Sequence, residues 1–170
     1  ALLEAVRRRL EAAGLAVRRV VASTAGMDLP LAPFASLVDP SAPGAQDLSG
    51  LVVQVVNGLR ATARQQRTVL MVDDAHDLDD ASAVVVSQLA HGDELRVVLT
   101  ARSTEPLPVD LQHLVDGPDV EVIEVRPLVR DATDELVRAD LGVREPRRNG
   151  AASTPADVDP QVLDEIWRWS

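Results

Sequence analysis

Short apolar runs alternate along this chain with longer stretches in which apolar residues recur every three or four positions. In residues 1–13, Leu2, Leu3, Val6 and Leu10 fall on one stripe, which predicts an amphipathic helix stopped by Gly14. Residues 17–22 read as a strand, and 23–39 as a Pro-punctuated segment with a short helical piece at 33–38. After a loop at 40–44, residues 47–60 read as a helix opened by Asp47 or Ser49, with Gly58 weakening its interior. Residues 68–72 (TVLMV) are apolar and β-branched without helical period, so they predict a strand buried on both faces. Asp79 or Asp80 caps a helix over 81–90, a second buried strand spans 96–100, and a short helix spans 107–115. Residues 120–125 (VEVIEV) alternate, as an edge strand does. A helix at 131–141 closed by Gly142, a polar loop at 144–160 and a last helix at 161–169 complete the pattern.

Four strands alternating with helices predict an α/β fold, a parallel sheet with right-handed crossovers and helices on both faces. The 170 residues suffice for one such domain. Hydrophobic residues make up 46% of the chain but aromatic ones only 2%, so the core must be built from Ala, Val and Leu.

Composition then removes several functions. A net charge of −10 argues against direct nucleic-acid contact or an anionic membrane surface. With no cysteine there is no disulfide and no thiolate metal site. No apolar run is long enough to span a bilayer, and the N-terminal stretch has no signal-peptide core, so a cytoplasmic location is expected. All 17 basic residues are Arg, which excludes every chemistry that needs a Lys, including the lysine of a phosphate-binding P-loop.

The candidate chemistry starts where the buried run 68–72 meets Asp73 and Asp74. Two acids at the end of a buried strand are costly to hold there, and ligands of parallel α/β sheets bind at the carboxyl ends of the strands. In phosphoryl transfer, one such acid holds Mg2+ through water and its neighbour polarises the attacking water. Thr100 and Arg102 end the next strand and should lie beside this pair, where a hydroxyl can orient water and a guanidinium can meet a γ-phosphate. The plainer alternatives are a capped turn and a solvated arginine. His76 reads as a turn residue making local hydrogen bonds, and His91 and His113 lack ligand spacing. Trp167 and Trp169 cannot share one face of a helix. Arg7 to Arg9 and Arg18 to Arg19 read as solvated faces that balance the acids.

VLMVDDAHDLDDASA resembles the Walker B segment of the NTPase domain in LuxR-type transcriptional regulators, which belong to the STAND group related to AAA+ proteins. VVLTARS resembles their sensor-1 strand, and LPLAPFASLV the segment after their second strand. The family usually carries an aromatic residue where this chain has Asp77. The resemblance implies a three-layer P-loop NTPase-like sheet binding ATP and Mg2+. Asp73 would hold the Mg2+, Asp74 would act as catalytic base, and Thr100 and Arg102 would sense the γ-phosphate. It implies nucleotide and other domains of the same parent chain as partners, with self-association left open.

The family's GxxxxGK(S/T) loop should precede the first helix, and no such motif is present. The chain therefore reads as an incomplete NTPase core at 1–143, a linker at 144–160 and the start of a helical lid at 161–170. The strand that precedes the loop would lie between the sensor strand and 120–125, so its loss leaves the latter without a neighbour and the fold marginally stable. Two other classes compete with the switch ATPase. One is a non-catalytic scaffold that keeps the fold without nucleotide. The other is a phospho-acceptor receiver domain, which needs a Lys this chain lacks.

Overall fold

The computed structural model describes residues 2–42, 45–126, 129–130 and 132–133. The loop at 144–160, the helix at 161–169, both tryptophans and most of the helix at 131–141 lie outside the described residues. The chain divides after Val122 into two units, and the architecture below is that of the first.

Its elements are α1 (Leu2–Ala12), β1 (Ala16–Val21), α2 (Leu48–Gln65), β2 (Thr68–Asp73), α3 (Asp80–Ala90), β3 (Leu95–Leu99) and α4 (Val109–Val115). Three short 3₁₀ turns, Thr24–Gly26, Ala32–Leu37 and Ala75–Asp77, sit in the connections. The strands form one parallel sheet in the order β1-β2-β3, flanked by helices. The fold class is thus α/β with a parallel sheet, as the alternation predicts.

β2 is central because it is the strand that can be buried on both sides: Thr68 to Val72 are all buried. Side chains alternate across a strand. Leu70 and Val72 join the main core with Val55, Val56 and Leu59 of α2 and Val85, Val86 and Leu89 of α3. Val69 and Met71 are buried on the other face. Helix α2 buries Val52, Val55, Val56, Leu59 and Ala63, a stripe with helical spacing, and Asp47 caps it by accepting from the Gly50 N–H at 2.7 Å. Phe34, fully buried, fills the core from the Ala32–Leu37 turn. Gly14 has φ +80°, the left-handed conformation that a helix stop requires.

Three expectations are adjusted. Helix α2 continues through Gly58 to Gln65, because Leu59 and Ala63 extend its buried stripe. The cap of α3 is Asp79, not Asp80: Asp79 accepts from the Ser82 N–H at 2.9 Å. Residues 120–126 join no ladder, although their alternation predicts a strand. Alternation fits a pleated surface only where a neighbouring strand supplies hydrogen bonds, and Val122, Ile123 and Val125 are exposed. Among the described residues no helix is long and apolar enough to cross a membrane.

Candidate functional site

The register of the sheet assembles the cluster. Val72 pairs with Leu99, so Asp73, the last residue of β2, faces Thr100, the residue just past β3. The Thr100 N–H donates to the Val72 carbonyl at 2.9 Å, and the Ala75 N–H donates to the Thr100 carbonyl at 2.7 Å. These bonds carry the two strand ends a little beyond the regular ladder and fix the Thr100 side chain. Its hydroxyl donates to Asp73 Oδ1 at 2.8 Å and accepts from the Asp74 N–H at 3.2 Å.

The second oxygen of Asp73 meets a residue that the sequence left among solvated arginines. Arg19 Nη2 lies 2.8 Å from Asp73 Oδ2. The reason is again register: Arg19 pairs with Met71 and Val21 with Asp73, so Arg19 and Asp73 are diagonal neighbours on one face of the sheet. A long side chain spans such a diagonal. The only sequence signal for this pair is parity along the strands, and it is usable once the β1–β2 register is known. Hydrogen bonding to Arg19, reinforced by that to Thr100, holds the Asp73 carboxyl below its ordinary pKa against the opposing effect of partial burial.

Asp74 begins the turn with φ 55° and ψ 47°, a left-handed conformation that Asp tolerates better than most residues. The turn rotates Asp74 out of the strand's alternation, so the two adjacent acids are not held alike. His76 follows on the 3₁₀ turn and is buried, with only 3% of its side chain exposed. Its Nδ1 accepts a long hydrogen bond from the Arg102 N–H at 3.4 Å. Its Nε2 has no hydrogen-bond partner, and the nearest acid oxygen, Asp77 Oδ2, is 4.0 Å away. His76 therefore ties the β2 turn to the β3 turn, a longer-range contact than the local bonds expected of it. Arg102 is exposed and forms no ion pair among the described residues.

Asp79 closes the turn from the other side. Its carboxylate accepts from the Ser82 N–H, from the Ser82 hydroxyl at 2.6 Å and from the Leu31 N–H at 3.1 Å. Leu31 is itself left-handed, with φ 61°, and buried. Asp79 is thus a helix cap that also anchors the segment leading to Phe34.

Asp73, Asp74, Thr100 and Arg102 are accordingly brought to one end of the sheet, with Asp73 and Thr100 in direct contact and Arg102 linked to the turn through its backbone. Among the described residues no group of three or more His, Asp or Glu could hold a metal ion. Mg2+ keeps several waters and takes one or two carboxylates plus substrate phosphates. The described residues therefore offer no all-protein cage for such an ion. A shallow hollow at the start of α2, lined by Asp47, Gly50, Val53, Gln54 and Asn57, shares no residue with this cluster. No family model, no curated protein and no solved structure matches the chain.

Proposed function

We propose that this chain carries the metal-binding and phosphate-sensing part of an ATP-dependent switch in a signal-responsive transcriptional regulator, similar to the NTPase domain of LuxR-type STAND proteins. In this reading the sheet is an incomplete P-loop NTPase-like core. The observation that supports it best is the Thr100 to Asp73 hydrogen bond at 2.8 Å, made across adjacent parallel strands at their carboxyl ends. A phosphate-bound Mg2+ would neutralise charge at the terminal phosphates, with Asp73 as its carboxylate ligand. Asp74 would accept the proton of the attacking water. Thr100 keeps the Asp73 carboxylate oriented, and Arg102 would stabilise charge on the γ-phosphate. The loop that would cradle the other phosphates is not in this sequence, so the chain by itself holds an incomplete site.

Calorimetry with Mg-ATP tests this on the chain and on a version extended upstream through a strand and a P-loop. The extended form should bind, and Asp73→Ala should weaken the Mg2+ dependence of that binding. Absence of binding by both forms would favour a second reading, a scaffold domain that keeps the fold without nucleotide. One observation favours that alternative: both oxygens of Asp73 already have partners within the chain, Arg19 and Thr100.

A further inference from the structure

Two sets of bonds tie the connection after β3 to the turn after β2. The first set ends at Thr100, whose N–H, carbonyl and hydroxyl all bond to residues 72–75. Past Thr100 the backbone leaves the ladder. Among the described residues one hydrogen bond still joins it to the β2 turn, the Arg102 N–H donating to His76 Nδ1 at 3.4 Å. The Arg102 side chain is exposed and forms no ion pair among the described residues, so it does not fix its own backbone. His76 is a firm post for that bond. Its side chain is 3% exposed. Its turn is closed by the Asp77 N–H donating to the Asp74 carbonyl at 2.8 Å and by the Ala75 N–H donating to the Thr100 carbonyl at 2.7 Å.

A neutral imidazole that accepts at Nδ1 carries its proton on Nε2. That Nε2 is buried without a hydrogen-bond partner among the described residues, and the nearest acid oxygen, Asp77 Oδ2, is 4.0 Å away. A buried donor left unmet costs stability. An apolar side chain of similar size would fill the same space without that cost, so packing does not account for an imidazole here; its acceptor nitrogen does. We propose that His76 is the positioning residue for Arg102: by accepting the Arg102 N–H it sets the loop after β3 on the same turn that holds Asp74. The proposal rests on the reading of Asp74 as base and Arg102 as the γ-phosphate contact. The turn that starts at left-handed Asp74 then carries the acid on one side and the imidazole on the other. The backbone of Arg102 is registered to the acid, while its guanidinium stays free to move. A displacement of either turn passes to the other through the ring. His76 itself touches no reacting atom.

Amide hydrogen exchange, followed by nuclear magnetic resonance on the whole chain, tests this without nucleotide. His76→Leu should speed exchange of the Arg102 amide about fivefold, the factor that corresponds to one neutral hydrogen bond. The Thr100 and Ala75 amides, whose acceptors are backbone carbonyls, should keep their protection. His76→Asn places an amide oxygen near the position of Nδ1 and should restore protection at Arg102. A packing role alone would be kept by Leu and lost by Asn. Unchanged Arg102 exchange in His76→Leu, or no recovery in His76→Asn, overturns the proposal. A second measurement needs no substitution and holds even where a variant does not fold. The ring nitrogen shifts of His76 at neutral pH should show the proton on Nε2 alone, and a proton on Nδ1 overturns the proposal, because that nitrogen could not then accept. The two readings fail separately. The expected exchange pattern without Mg-ATP binding by the upstream-extended form would overturn the nucleotide reading and leave the coupling. Mg-ATP binding with an Arg102 amide indifferent to His76 would overturn the coupling and leave the nucleotide reading.

Discussion

At the scale of single residues, the strand-end cluster and the helix cap beside it are built from short polar side chains that each do two things. Thr100 holds a carboxylate and a turn N–H with one hydroxyl. Asp79 caps α3 and also binds the N–H of a buried, left-handed Leu31. Its double role makes a distinct prediction. Loss of a helix cap costs about 0.5–2 kcal/mol. Leaving the buried Leu31 N–H without an acceptor adds about 1–3 kcal/mol. Asp79→Ala should therefore destabilise the chain by about 2–4 kcal/mol in urea unfolding, while Asp80→Ala, on the exposed neighbour, should stay within about 0.5 kcal/mol. A loss of only about 0.5–2 kcal/mol for Asp79→Ala would show that the Leu31 contact adds nothing to the cap. The sequence narrows the cap to two adjacent acids without choosing between them, and the Leu31 N–H that also holds Asp79 lies 48 positions away.

At the scale of elements, what could be read from the sequence follows from how local each signal is. β2 was legible because Thr68 to Val72 are a run too short for a buried helix and rich in β-branched residues, which suits a strand covered on both faces. Helix α2 was legible in type but not in length, since Gly58 argues for a stop that burial of Leu59 and Ala63 overrides. The 120–125 segment has the pattern of a strand but joins no ladder, in keeping with its expected lack of a neighbour, because a strand is a property of a pair of segments. Asp73 and Thr100 were placed together correctly, as adjacent parallel strands imply; Arg19 was not, because side-chain parity on β1 carries no meaning until the register is set. Helix α1 shows the limit of periodicity. Its stripe of Leu2, Leu3, Val6 and Leu10 is clean, yet none of its residues is buried. Amphipathicity reports a capacity to pack; contact decides its worth. Leu2→Ala in α1 should thus leave stability within about 0.5 kcal/mol, as surface changes do. Leu89→Ala in α3, 1% exposed within the main core, should cost about 2–5 kcal/mol. Denaturant midpoints for the two variants measure this directly, and comparable losses would mean that α1 packs more firmly than its exposure indicates.

At the scale of the whole molecule, charge sets the pH dependence. The chain carries a formal −10 at pH 7, so protonating its acids relieves self-repulsion and favours the folded state. Specific contacts oppose this. Asp73, hydrogen-bonded to Arg19 and Thr100, has its pKa lowered, and so has Asp47, which accepts from the Gly50 N–H and the Ser49 hydroxyl. A carboxyl whose pKa is lower in the folded state stabilises that state above its unfolded value, which is 3.8 for Asp. The contribution is complete at neutral pH, and it is lost as pH falls through the folded value. Both effects act in the same acid window, so the curve for one chain cannot separate them. A difference between two chains can, because Arg19→Gln removes the main interaction that lowers the Asp73 pKa and alters the general repulsion by one charge. The stability gap between the unsubstituted chain and Arg19→Gln should be full at pH 7, begin to close below about pH 4 and vanish once Asp73 is protonated in both. Urea unfolding followed by circular dichroism from pH 7 down into that window reads the gap at each step. A gap that does not change with pH would mean that Arg19 stabilises the sheet by covering Met71 and its neighbours with its methylene stem, and that its charge on Asp73 is incidental.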